Sequence, residues 1–163
     1  MIVVSNTSPI INLAMINQLD LLEQLYGTVI IPPAVYDEIV TGGAGQPGAD
    51  VVQALDGFEV RPVSSQPMVT HLAASLDLGE AEAIVLAVEL GVHLLLIDER
   101  QARIVAKRLG VSHIGLLAVL VQAKHAGLIP AVGPLVERLR SEAGFWVSQQ
   151  VYHHLLQIAG ETV

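Results

Sequence analysis

Three short stretches of this chain are apolar through their centres without alternation: Ile2-Val-Val-Ser5, Thr28-Val-Ile-Ile31 and His93-Leu-Leu-Leu-Ile97. A strand with one wet face alternates apolar and polar residues, whereas a strand covered on both faces does not. Each stretch is followed by residues at helical spacing, and two further strands are expected over residues 58–63, interrupted by Pro62, and 111–114. Alternating strands and helices with fully apolar strands specify an α/β fold. The expected architecture is a three-layer sandwich, a central mostly parallel sheet flanked by helices, formed by residues 1–163 as one domain.

The helices are expected as follows. Thr7 or Ser8 caps a first helix that has Pro9 in its opening turn and Ile10, Ile11, Leu13 and Ala14 on its apolar face. Further helices fall at residues 19–25, at 33–40 behind Pro32-Pro33, at 51–55, at 80–90 and at 99–109, and two or three more close the chain around 116–126, 132–140 and 151–158. Residues 41–49, rich in glycine and closed by Pro47-Gly48, read as a loop.

Composition then narrows the function. The 163 residues are 52% hydrophobic and only 15% charged, against about 25% charged in ordinary soluble domains. Either a large fraction is buried or an apolar patch is covered by a partner subunit. The longest apolar run, Ile114-Gly-Leu-Leu-Ala-Val-Leu-Val121, is far short of the roughly 20 residues that span a bilayer, so no membrane is expected. The chain contains no cysteine, which excludes disulfides, thiolate zinc sites and cysteine nucleophiles. It opens on Met-Ile-Val-Val without the cationic start of a secretory signal, and a cytoplasmic location is expected. A net charge of −8 argues against a protein that coats DNA. It is compatible with a nuclease whose carboxylates hold metal ions.

In open α/β sheets ligands bind beyond the carboxyl ends of the strands. Two polar clusters fall there: Ser5-Asn6-Thr7-Ser8 and Asp98-Glu99-Arg100. The plain reading of each is helix capping. Glu80, three residues after Asp77, has the spacing of a capping box, while Glu82 lies on another face and is expected to point to solvent. Glu38 and Asp37 are neighbours beside an apolar stripe, and helical spacing does not choose between them. His153 and His154 stand about 100° apart on a helix and make a poor metal pair. Five of the eight basic residues, Arg100, Arg103, Lys107, Arg108 and Lys124, fall between positions 100 and 124. They form either a solvated helix face or a local strip facing phosphates.

The segments Val3-Val-Ser-Asn-Thr-Ser-Pro-Ile10, Val29-Ile-Ile-Pro-Pro-Ala-Val-Tyr-Asp-Glu38, Leu78-Gly-Glu-Ala-Glu-Ala-Ile84, Leu95-Leu-Ile-Asp98, Gly115-Leu-Leu-Ala-Val-Leu120 and Gly144-Phe-Trp-Val-Ser148 together resemble the PIN-domain family. That family includes the VapC-type toxins of toxin–antitoxin pairs, and the resemblance runs from residue 2 to about 161. It implies a metal-dependent ribonuclease in which acidic residues gather Mg²⁺ or Mn²⁺. Carried over by motif, the acids fall on Glu38, Glu80 and Asp98, while Asn6 stands where active members usually have aspartate. The resemblance also implies RNA contacts on the basic strip at Arg100, Arg103 and Lys107, an antitoxin partner and a homodimer.

An amide oxygen can ligate Mg²⁺, but it brings no charge. Two readings follow: a VapC-type endoribonuclease using Asn6, Glu38, Glu80 and Asp98, or a PIN-like module that binds RNA or a protein without cutting. A small-ligand-binding α/β domain is the third.

Overall fold

The computed structural model describes residues 1–162. Its strands are β1 (Val3–Ser5), β2 (Val29–Ile31), β3 (Phe58–Val60), β4 (Leu94–Leu96) and β5 (His113–Ile114). All pair in parallel, in the order β3-β2-β1-β4-β5. The chain winds outward from β1 through β2 and β3, then returns to place β4 on the other side of β1. The boundary between β1 and β4 is therefore the topological switch point, where an open parallel sheet leaves a crevice at its carboxyl edge.

Successive strand residues feed opposite layers, as the pleat requires. Val3, Val29, Ile31 and Leu96 belong to a core beneath α1 (Thr7–Met15), α2 (Asp20–Tyr26), α8 (Leu116–His125), α9 (Gly133–Ala143) and α10 (Gln149–Ile158). Val4, Ile30, Leu95 and Ile97 belong to a second core, under α5 (Gln66–Ala73), α6 (Leu78–Leu90) and α7 (Arg100–Arg108). α6 is apolar around most of its circumference, from Ala81 to Ala87, as a helix embedded between sheet and neighbouring helices should be. No helix among the described residues is long and apolar enough to cross a membrane.

Several expectations shift. The helix expected over residues 33–40 divides into α3 (Pro33–Tyr36) and a π-helical turn over Asp37–Thr41. The short helix expected at 51–55 is α4 (Ala49–Gln53), two residues earlier and starting on the last residue of the expected loop. α5 was not anticipated, because Gln66-Pro-Met-Val-Thr-His-Leu-Ala73 exposes most of its surface and buries only Val69 and Leu72. The third strand stops at Val60, before Pro62 can interrupt it.

Candidate active site

The carboxyl ends of β1 and β4 lie side by side: Ser5 registers with Leu96, and the Asn6 amide donates to the Leu96 carbonyl at 2.9 Å. Asn6, not Thr7 or Ser8, occupies the N-cap of α1, and its side chain makes no capping bond. Asparagine is among the best capping residues, yet here its Oδ1 is buried without a partner, and the residue is only 4% exposed. Asp98 likewise does not cap the helix that follows it, since Glu99 holds that position. Asp98 Oδ1 accepts instead from the Leu116 amide at 2.9 Å, at the N-terminus of α8, and Oδ2 is buried without a partner. Each cluster thus supplies the N-cap position of the helix that follows, as the plain reading has it, but neither supplies a side-chain capping bond.

Burial pushes the Asp98 carboxyl above the usual range and Glu99 adds to this, against the Leu116 amide and the Arg103 guanidinium, which favour the charged form. Gly115 makes the placement possible: a Cβ there would lie 2.5 Å from Asp98 Oδ1.

The π-helical turn decides between Asp37 and Glu38. Glu38 Oε2 accepts a short hydrogen bond from the Thr7 hydroxyl, whereas the Asp37 side chain makes no hydrogen bond among the described residues. Glu38 stands at the rim of the crevice over Gly79, where a Cβ would lie 2.5 Å from its Oε1. Partial desolvation raises its pKa and repulsion from Asp77 and Glu82 adds to this, opposed by hydrogen bonds from Thr7 and the Gly79 amide.

Glu80 forms the capping box that its spacing announced. Its Oε1 accepts from the Asp77 amide at 3.0 Å, and the Asp77 carboxylate accepts from the Glu80 amide at 2.7 Å. Glu80 is 7% exposed, and burial first, then Asp77 and Glu99, holds its carboxyl above the usual range. Glu82 does not point to solvent: its Oε1 accepts from the Ala34 amide at 2.9 Å, tying α6 to the first turn of α3. The cause is the open N-terminus of α3, which starts with two prolines and leaves the Ala34 N–H to be satisfied.

Asn6, Thr7, Ser8, Asn12, Glu38 and Glu99 line a crevice of about 310 Å³. It runs into a second cleft of about 610 Å³, whose walls include Asp98, Arg103 and Trp146, and Ser8, Asn12 and Glu99 border both. Glu80 lines neither. Among the described residues no group of three or more histidine, aspartate or glutamate side chains stands close enough together to hold a metal. The oxygen donors present nevertheless suit a hard divalent cation, because Asn6 Oδ1 and Asp98 Oδ2 are desolvated oxygens that no protein donor satisfies.

Arg100, Arg103, Lys107 and Arg108 all project to the surface of α7, a helix without an acidic residue. Arg103 makes no ion pair or hydrogen bond among the described residues, which leaves its guanidinium at the cleft available to an anion. Lys124 leaves this strip: its ammonium donates to the Ala159 carbonyl at 2.6 Å and pairs with Glu161 at 3.0 Å. Asn12 carries no sequence signal of a site-lining position, whereas Glu99 lies in the polar cluster after β4 and Trp146 in the family-like segment 144–148 without either being singled out as a site residue.

A sequence model of the DUF3368 family, described as a PIN domain, matches residues 2–161. Among solved structures, the chain is similar to a PilT N-terminus domain protein, SSO1118, from the hyperthermophilic archaeon Sulfolobus solfataricus P2. The two are 25% identical with a TM-score of 0.58, over 76% of this chain and 93% of that one. No curated protein matches the chain.

Proposed function

The chain belongs to the PIN-domain family, and on that premise we propose that it is a divalent-metal-dependent endoribonuclease of VapC type acting in the cytoplasm. The observation that carries this reading is the pair of buried, unpartnered oxygens, Asn6 Oδ1 and Asp98 Oδ2, at the switch point of a parallel sheet. An orphaned buried oxygen is expensive unless a hydrogen-bond donor or a cation completes it. Mg²⁺ or Mn²⁺ would be held by Asn6 and Asp98 with Glu38 from the crevice rim, and Glu80 would join them only by leaving its cap. When bound it would supply Lewis-acid stabilisation of charge developing on a phosphate and a water of lowered pKa.

The chain's own residues do the rest. Thr7 orients Glu38 by its hydrogen bond, and the Leu116 amide fixes Asp98 so that Oδ2 stays free. Arg103 meets the phosphate beside the crevice, while Arg100 and Lys107 extend the positive strip along the strand. A homodimer and a neighbouring antitoxin are the proposed protein partners. Exposed Leu78, Val88, Ile104 and Leu109 on and around α6 and α7 supply apolar surface for them, and sedimentation of the purified chain tests the dimer.

Asn6 favours a second reading, a PIN domain that binds RNA or a protein without cutting, because an amide contributes no charge to the site. Cleavage of a mixed RNA panel with Mg²⁺ or Mn²⁺, with EDTA, and by an Asp98→Asn variant purified identically, separates the two. Metal-dependent cleavage lost in the variant establishes the nuclease. Absent cleavage, or equal cleavage by both proteins, leaves the binding module.

A further inference from the structure

Trp146 is 83% exposed, the largest apolar side chain of the molecule turned almost wholly into solvent. Its neighbours behave oppositely: Val147 is buried and Phe145 half-buried against the core. The short segment between α9 and α10 is pinned on both sides. Gly144 ends α9 in the left-handed conformation (φ +65°), which glycine adopts without strain. The Phe145 amide then donates to the Leu139 carbonyl at 3.0 Å. Arg140 donates to the Val147 carbonyl at 3.0 Å while its guanidinium stacks over Tyr152, 4.9 Å from the ring centre. Ser148 closes the segment by capping α10, accepting from the Val151 amide at 3.1 Å. The indole is therefore displayed from an anchored backbone.

It is displayed over a particular place. The cleft of about 610 Å³ that Trp146 borders also holds Asp98 and Arg103 and shares Ser8, Asn12 and Glu99 with the crevice at the strand ends. An apolar aromatic face, one free guanidinium and a polar edge match an unpaired nucleotide, whose base stacks and whose phosphate takes the positive charge. Stacking on an aromatic ring tolerates any base, because each has a π-face, and a paired base inside a duplex cannot offer that face.

We propose that Trp146 is the stacking platform for an unpaired base of the bound RNA, with Arg103 holding the adjoining phosphate. The proposal rests on the RNA-directed reading of the site above and adds its binding subsite.

Because Trp146 is the one tryptophan of the chain, its fluorescence reports the subsite directly. The probe is a short single-stranded 2′-O-methyl oligoribonucleotide in EDTA, which binds without being cut, compared with a duplex of the same sequence. The proposal expects saturable quenching by the single strand and little by the duplex. With a labelled strand followed by anisotropy, Trp146→Ala binds about tenfold more weakly and Trp146→Phe retains most of the affinity. Arg103→Ala weakens binding and flattens its dependence on salt.

Absent quenching with unchanged affinity in Trp146→Ala overturns the proposal, as does equal quenching by the duplex. A fluorescence shift that depends on protein concentration alone, abolished together with self-association in Trp146→Ala, also overturns it, because a second copy then covers the ring. Metal-dependent cleavage without quenching sinks this proposal and leaves the nuclease reading standing. Quenching without cleavage does the reverse.

Discussion

Asp98 and Gly115 are fitted to each other: the carboxylate occupies the space that any β-carbon at position 115 would need, 2.5 Å from Oδ1. Glu38 and Gly79 repeat the arrangement at the start of α6, with the same 2.5 Å approach. In both cases a carboxylate from one strand end or turn is received at the amino end of another helix. There the unpaired amides and the helix dipole favour negative charge.

Gly115→Ala therefore displaces Asp98 and strains its bond to the Leu116 amide. The backbone at Gly115 is not left-handed, so the effect is steric. A stability loss of about 1–3 kcal/mol is expected from overpacking, with metal-dependent cleavage falling about tenfold or more through misplacement. Denaturant unfolding alongside a cleavage assay measures both. Unaltered stability and rate would mean that Asp98 has another position from which it functions.

Asn6→Asp places a buried negative charge at the switch point, at the end of the strand next to the one that leads to Asp98. Without metal the variant should lose about 1–3 kcal/mol, as buried charge without a partner does. With metal it should gain, since ligand charge raises affinity for a hard cation. Mn²⁺ titration calorimetry and RNA cleavage should both improve over the natural chain. A variant that binds Mn²⁺ no better would count against Asn6 as a ligand position.

Asp98→Asn should abolish cleavage while making the metal-free protein more stable. Burial holds the folded Asp98 carboxyl above the unfolded value, so folding favours the protonated form. That contribution is complete below the unfolded pKa and is lost as pH rises through the raised folded pKa. At neutral pH the ionised Asp98 thus opposes folding, and its amide replacement should raise Tm. Calorimetric melting in EDTA tests the sign, and a lower Tm would refute it.

Glu161 has the opposite sign. Burial pulls its carboxyl upward, but the Val132 and Gly133 amides and Lys124 outweigh it and hold it below the ordinary value of 4.5. The bonds run at 2.6, 2.9 and 3.0 Å and tie the end of α10 to the start of α9. Their contribution is present above the unfolded pKa and disappears as pH falls through the lowered folded one. Glu161→Ala should cost about 1–3 kcal/mol at neutral pH, with the difference from the natural chain shrinking in acid. A difference independent of pH would argue against the ionised form as the stabilising one.

The sheet was legible because its central strands β1, β2 and β4 are buried on both sides and carry no alternation, as strands in the middle of a sandwich do, whereas edge strand β3 exposes Glu59. Helix α6 announced itself through Asp77 and Glu80, whose reciprocal bonds are local in sequence. α5 did not, since two buried residues on a polar background leave almost no periodic signal. Glu82 was misplaced for a related reason: its partner, the Ala34 amide, lies 48 positions away, and nothing near Glu82 records that demand.

Local chemistry by itself determined the strands, most helices, the acidic and basic residue sets and the family to which they correspond, because backbone preference and periodic burial act over a few residues. Only the tertiary structure decided which polar groups are used up and which remain. Glu80 is engaged in its cap, Glu82 in the α3 amide, and Lys124 in Glu161. Asn6 and Asp98 keep unpartnered oxygens at the switch point, and Trp146 is held out over the same cleft. Those outcomes depend on contacts between distant segments, since hydrogen-bond satisfaction is settled only when every neighbour is in place.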